Sequence, residues 1–311
     1  MTNSTSRSDL YSKVTADIVR HLEAGVRPWH QPWTNRGPTR NTPPGGIARP
    51  LRFNGQPYHG INVVILWLTA FEKGFSAPLW LTYNQAHELG GYVKKGEKSA
   101  TVVYANTFEK SETDAATGEE ITAKIPYLKS YCVFNVDQTE GLPAHYYARI
   151  EGPKTAAERH AQAEAFFTNT GFDVRYGGDR AYYRPSEDHI QLPPFEAFES
   201  AEKFYATLAH ESVHATKHER RLNRNFDSKR FGDEGYSLEE LVAEMGAAFL
   251  CVDLGITPEV MPDHASYLDS WLRVLKADVK AVFTAAAHAE RAADYLHRLQ
   301  PGPINETPDT N

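Results

Sequence analysis

The stretch His210-Glu211-Ser212-Val213-His214 constrains this chain more than any other. It lies in a segment, about 200–217, whose Phe204, Leu208 and Val213 predict a helix with a buried face. Residues four apart share a helical face, so His210 and His214 present two imidazoles to one ion. Glu211 sits about 100° round the axis, where its carboxylate reaches a water at the ion rather than the ion itself. Zinc suits imidazole, and three protein ligands leave a fourth position for water. Glu211 is then placed as a general base. This pattern predicts a zincin-type site, with the C-terminal half folded as a metallopeptidase.

The third ligand must come from elsewhere. A metzincin would carry Gly at 217 and His at 220; this chain has Lys217 and Arg220, which excludes that class. His218 keeps the four-residue spacing, but three histidines rising about 6 Å per step along one helix cannot converge on one ion. A helix over about 237–254 offers Glu240 and Glu244 on one face with Ala247, Ala248 and Cys251. Two carboxylates on a small apolar face need partners, and a metal with its histidines would serve. Glu240 is favoured as ligand, with Glu244 orienting a ligand histidine; Glu244 as ligand is the alternative. A capping box of Ser237 with Glu240 competes for the same side chain.

The 311 residues suffice for two domains. Helices are expected over about 8–24, 60–73, 82–89, 154–168 and 200–217, with a pair between 262 and 299. Strands are expected at 79–81, 100–108, 121–135, 172–176, 180–184 and 189–192. Strand 188–192, just before the metal helix, is expected to be the edge strand that holds an extended substrate. Gly141-Leu142-Pro143 marks a boundary, giving domains at 1–142 and 150–300 and a polar tail at 301–311. The fold class is α+β: an α+β N-terminal domain, then a zincin-like domain with a small antiparallel sheet and a helical C-terminal part. The apolar stretches at 61–70 and 246–252 are too short to span a bilayer. Two distant cysteines and a polar start, with no signal core, predict a cytoplasmic protein.

Charge is uneven: +5 over residues 1–52, but -9 from residue 141 onward. Four of the five tryptophans fall between 29 and 80. Trp67 and Trp80 sit in apolar elements and read as core. Trp29 and Trp33 lie in a long Pro- and Gly-rich segment, where stacking and core packing compete. Around them lie Arg36, Arg40 and Arg52, then Lys94, Lys95 and Lys98. Aromatic faces for bases interleaved with cations for phosphates are what a single-strand binding surface requires.

The stretches Pro28-Trp29-His30-Gln31-Pro32-Trp33, Asn54-Gly55-Gln56-Pro57-Tyr58-His59-Gly60-Ile61-Asn62, Trp80-Leu81-Thr82-Tyr83-Asn84-Gln85-Ala86 and Val93-Lys94-Lys95-Gly96-Glu97-Lys98 resemble the N-terminal domain of ArdC-type antirestriction proteins. TraC-type plasmid primases carry a similar domain. His210 to Thr216, Arg221-Leu222 and Glu239 to Glu244 resemble the zincin domain of the same family. The resemblance spans about 8–300. It implies single-stranded DNA as a partner, Zn2+ or another divalent metal such as Mn2+ as cofactor, and protection of plasmid DNA from type I restriction. Host restriction-modification proteins then become candidate partners. The competing readings are a single-strand binding module with a structural metal site, and a cytoplasmic peptidase with no DNA role.

Overall fold

The structure, a computed structural model, describes residues 7–29, 48–113, 120–147, 155–226, 233–257 and 267–302. Helix α1 (Arg7–Glu23) is followed by strand β1 (Leu51–Arg52), α2 (Ile61–Lys73), β2 (Leu79–Leu81), α3 (Tyr83–Glu88), β3 (Tyr92–Val93), β4 (Ala100–Thr113), β5 (Glu120–Asn135) and β6 (Thr139–Glu140). Strands β1-β2-β5-β4 form one sheet in that order, and β3 pairs with β6. β4 and β5 run as an antiparallel pair from Ala100↔Val133 to Thr113↔Glu120, longer than the alternation at 100–108 predicts.

The motifs of this first half have visible structural work. Thr82 and Gln85 form a reciprocal capping box that starts α3: Thr82 Oγ1 accepts from Gln85 N, and Gln85 Oε1 accepts from Thr82 N. The Asn62 amide pairs with both backbone groups of Val103 at 2.8 Å each, covering the open edge of β4. The chain leaves α2 through Gly74, whose φ of 72° favours glycine.

The second half runs α4 (Ala156–Asn169), β7 (Asp173–Tyr176), β8 (Tyr182–Arg184), β9 (His189–Leu192), α5 (Ala201–Ala215), α6 (Glu234–Asp253), α7 (Leu268–Ala277) and α8 (Ala281–Arg298). Two expectations are corrected here. The sheet is mixed rather than antiparallel, because β7 and β9 run parallel while β8 and β9 run antiparallel. Its order is β7-β9-β8, so β9 is central. Both hydrogen-bonding edges of residues 189–192 are taken, and the edge strands are β7 and β8.

The two halves share one apolar core that includes Leu10, Ile18, Trp67, Val213, Phe249, Trp271 and Leu296. Helix α1 packs on α7, and α2 packs on α8. Tyr11 meets Phe283 edge-on at 4.6 Å, and Thr15 Oγ1 donates to the Val279 carbonyl. Trp29 is fully buried and meets Trp271 edge-on at 5.9 Å. An ionic cluster adds to this seam. Glu290 on α8 accepts from Arg49 at 2.6 Å and from the Gly60 N–H at 2.8 Å, with the His59 ring also at 2.8 Å. No helix among the described residues is long and apolar enough to cross a membrane.

Candidate metal centre

Helix α5 starts where Ser200 Oγ accepts from Lys203 N, and every residue from Phe204 to Ala215 is buried. It packs on α6, β8 and β9. The contact with α6 is close at Gly246: a Cβ there would stand 2.8 Å from Val213 Cγ2. That approach brings the carboxylates of α6 to the histidines of α5.

Helix α6 starts at Glu234 and is capped by Asp233, which accepts from Tyr236 N at 2.8 Å. Ser237 is therefore one turn inside the helix, where its hydroxyl donates to the Asp233 carbonyl. The competing Ser237–Glu240 capping box does not form, and Glu240 is available for other work. His210, His214 and Glu240 are all buried, and each offers a ligand atom within 4.8 Å of the other two. The two Nε2 atoms are 3.1 Å apart, and each lies 3.5 Å from a Glu240 oxygen. Ligands about 2.1 Å from an ion in tetrahedral array stand roughly 3.4 Å apart. The three residues thus fit a divalent metal.

The support of His214 comes from a residue the sequence reading did not single out. Its Nδ1 lies 3.0 Å from Glu239 Oε1, which fixes Nε2 as the atom that faces His210. Glu239 in turn is gripped by Arg224, whose Nε and Nη2 each donate to it at 2.8 Å. Arg224 also donates to the Val213 carbonyl and to Thr216 Oγ1, so it clasps the end of α5. Glu244 is also buried, and the contact that orients His214 is made by Glu239. The reason is helical geometry: Glu239 and Glu240 sit about 100° apart, so one flanks His214 while the other faces both rings.

Charge follows from this arrangement. Burial alone would raise the Glu239 carboxyl, but Arg224 and His214 hold it down to about 2. Burial likewise opposes ionisation of Glu240, yet His214 and His210 keep it well below the usual carboxylate range. Burial would lower His214; Glu240 and Glu239 outweigh it and push the imidazole up to about 9. Without an ion, the ionised Glu240 is paired with the raised His214 ring, and a divalent cation taking these ligands would displace that proton.

The three ligand candidates and Glu211 line a cleft of about 570 Å³. One wall is β8. Asp188 anchors it, taking Arg221 through both oxygens at 2.7 and 3.0 Å and the Tyr183 hydroxyl at 2.8 Å. Tyr236 and Tyr267 also line the cleft, their hydroxyls 3.0 Å apart. Burial and the neighbouring Glu240 raise the Tyr236 phenol, which stays protonated. His218 lies outside the ligand set, 3.9 Å from Asp188. A second cluster, His59, Glu290 and Asp294, also has ligand-like spacing. There Arg49 already supplies the cation to Glu290.

The residues expected to contact DNA are scattered. Trp29 is corrected to a core residue, because its ring is enclosed against Trp271 and offers no face to a base. Trp33, Arg36 and Arg40 lie outside the described residues. Arg52 is exposed, its guanidinium 5.5 Å over the Tyr58 ring. Lys95 and Lys98 are exposed, and the half-buried Lys94 donates to the Asp137 carbonyl.

A histidine pair on one buried helix, a glutamate from the next and a small sheet bordering the cleft define a zincin-like metallopeptidase domain. Residues 161–288 match the family described as zincin-like metallopeptidase, and residues 8–134 match the N-terminal domain of anti-restriction factor ArdC. The chain belongs to the ArdC antirestriction family. It is 47% identical to the antirestriction protein ArdC from plasmid R388 in its metal-free crystal structure, with a TM-score of 0.77 over 94% of this chain and 97% of that one. The Mn(II)-bound crystal structure of the same protein aligns with a TM-score of 0.75 at 44% identity, over 94% of this chain and 98% of that one. Protein y4eC of Sinorhizobium fredii is 38% identical over 94% of this chain and 93% of its own length. The DNA primase TraC of Escherichia coli is 35% identical over 96% of this chain, which spans only 28% of that primase.

Proposed function

We propose that this protein binds single-stranded plasmid DNA and protects it from type I restriction in the recipient cytoplasm. In this reading residues 1–142 supply the DNA-binding part and residues 150–300 the metallopeptidase part. The observation that carries it is the joining, in one core, of an ArdC-type N-terminal segment to a complete zincin ligand set. His210, His214 and Glu240 hold a divalent cation, Zn2+ or Mn2+, and Glu239 sets the His214 tautomer. When bound, the cation polarises a water or a peptide carbonyl. Glu211 lines the same cleft and takes a proton from the attacking water, then returns it to the leaving amine. The Tyr236 and Tyr267 hydroxyls, 3.0 Å apart, line the same cleft and give it a polar wall. The free edge of β8 can hold an extended peptide by strand addition. A component of the host restriction system is the protein substrate this reading favours.

The test is Glu211→Gln assayed beside the unaltered protein for metal content, single-strand binding, peptidolysis and plasmid protection. Metal and DNA binding should be kept while peptidolysis is lost. Retained protection in that variant would show that peptidolysis is not the protective step. Absence of salt-sensitive single-strand binding by the unaltered protein would overturn the DNA part of the reading.

A further inference from the structure

With Trp29 in the core, a stacking surface must be sought elsewhere. Seven large apolar or aromatic side chains are exposed among the described residues, and five of them are tyrosines between 83 and 147. Two of these, Tyr104 on β4 and Tyr131 on β5, lie together. The register Tyr104↔Lys129 and Val102↔Tyr131 puts both rings and Lys129 on one face of the two-stranded ribbon. The ring centroids are 6.3 Å apart with planes at 62°, and the residues are 42% and 46% exposed. Behind them on that face, Val102, Ala100 and Val133 are buried, so the pair sits where the ribbon leaves the core. Along 99–104 and 128–134 the only charged residue is Lys129, directly opposite Tyr104. No carboxylate in those segments repels a polyanion.

We propose that Tyr104, Tyr131 and Lys129 form the base-stacking platform for single-stranded DNA. The inference rests on the DNA-binding reading above and assigns its surface. Two rings inclined to one another present separate faces, each able to take one base, while Lys129 reaches the phosphate between them. Aromatic faces accept every base, so this platform predicts binding with little sequence preference. Tyrosine suits an exposed platform: its ring stacks, its hydroxyl stays wet, and it has few torsions to freeze.

The test measures the affinity of the full chain for a fluorescently labelled oligothymidylate by anisotropy, at several salt concentrations. Removing both rings (Tyr104→Ala with Tyr131→Ala) should weaken binding by tenfold or more, since each stacked base is worth roughly fivefold to a hundredfold. The pair Tyr104→Phe and Tyr131→Phe should bind as the unaltered protein does. Lys129→Gln should lower the slope of log affinity against log salt by about 0.7. The Phe pair and Lys129→Gln keep the test valid if the Ala pair folds poorly. Unchanged affinity in a folded Ala pair, loss in the Phe pair, or an unchanged salt slope in Lys129→Gln would each overturn the platform. Failure of the unaltered protein to bind the oligonucleotide at all would instead overturn the DNA-binding reading.

Discussion

Glu239→Gln tests the metal centre through a residue that does not touch the ion. Glu239 takes two bonds from Arg224 at 2.8 Å and the His214 Nδ1 contact at 3.0 Å, with the Arg224 side chain 1% exposed and that of Glu239 8%. An amide keeps the shape but loses the charge, and its NH2 faces a donor on one side. Leaving a buried guanidinium without its carboxylate costs about 3–5 kcal/mol. That is a large share of a typical folding stability of roughly 5–15 kcal/mol. Independently, an outer carboxylate on a ligand histidine is worth about 10–100-fold in metal affinity. The two losses can be separated. Arg224→Met combined with Glu239→Gln removes the orphaned charge, so stability should recover in part while metal affinity stays low. Urea denaturation of chelator-treated protein reads the first quantity; competition with a metal-indicator dye reads the second. If Glu239→Gln bound metal within twofold of the unaltered protein, the tautomer argument for His214 would be refuted.

Two further outcomes follow from packing and charge. Gly246→Ala forces a methyl against Val213, should destabilise by about 1–3 kcal/mol, and should weaken metal binding as α5 and α6 part; an unshifted melting midpoint would refute the close approach. Glu290 has its carboxyl held below the usual range: burial opposes this, but Arg49, the Gly60 N–H and His59 outweigh it. Its contribution is present above the unfolded value of 4.5 and is lost as pH falls from there through the lowered folded value. Glu290→Gln should therefore cost on the order of 1.5–3 kcal/mol at neutral pH. The gap to the unaltered protein should narrow on acidification below 4.5, and a gap constant with pH would refute the assignment.

Local signals made much of this legible. Helical periodicity located α1, α2, α4 and α5 to within a few residues, and strand β2 was placed to the residue. The four-residue spacing of His210 and His214 found two ligand candidates, and helical phase found a third. What was illegible depends on distant parts of the chain. Glu239 differs from Glu240 only in which way α6 is rotated, and that is set by Gly246 meeting Val213. Arg224 lies in a turn after α5, with no periodicity to mark it. Strand β9 reads as an edge because it stands just before the metal helix, yet β7 pairs with it in parallel from sixteen residues earlier. Trp29 stands among polar residues, and only Trp271, far along the chain, makes its position a core one.

The docking of Trp29 on Trp271 has a consequence for heredity. Each indole belongs to a different matched segment, and each is fully buried. Residues in direct contact do not tolerate change independently. A chimaera that joined the first segment of one relative to the second segment of another would inherit mismatched halves of this seam, from Tyr11 and Phe283 to Arg49 and Glu290. Recombination between such genes is then penalised inside the fold, however well each segment is formed, and the pair should descend as one unit, including where it occurs as part of a much longer primase.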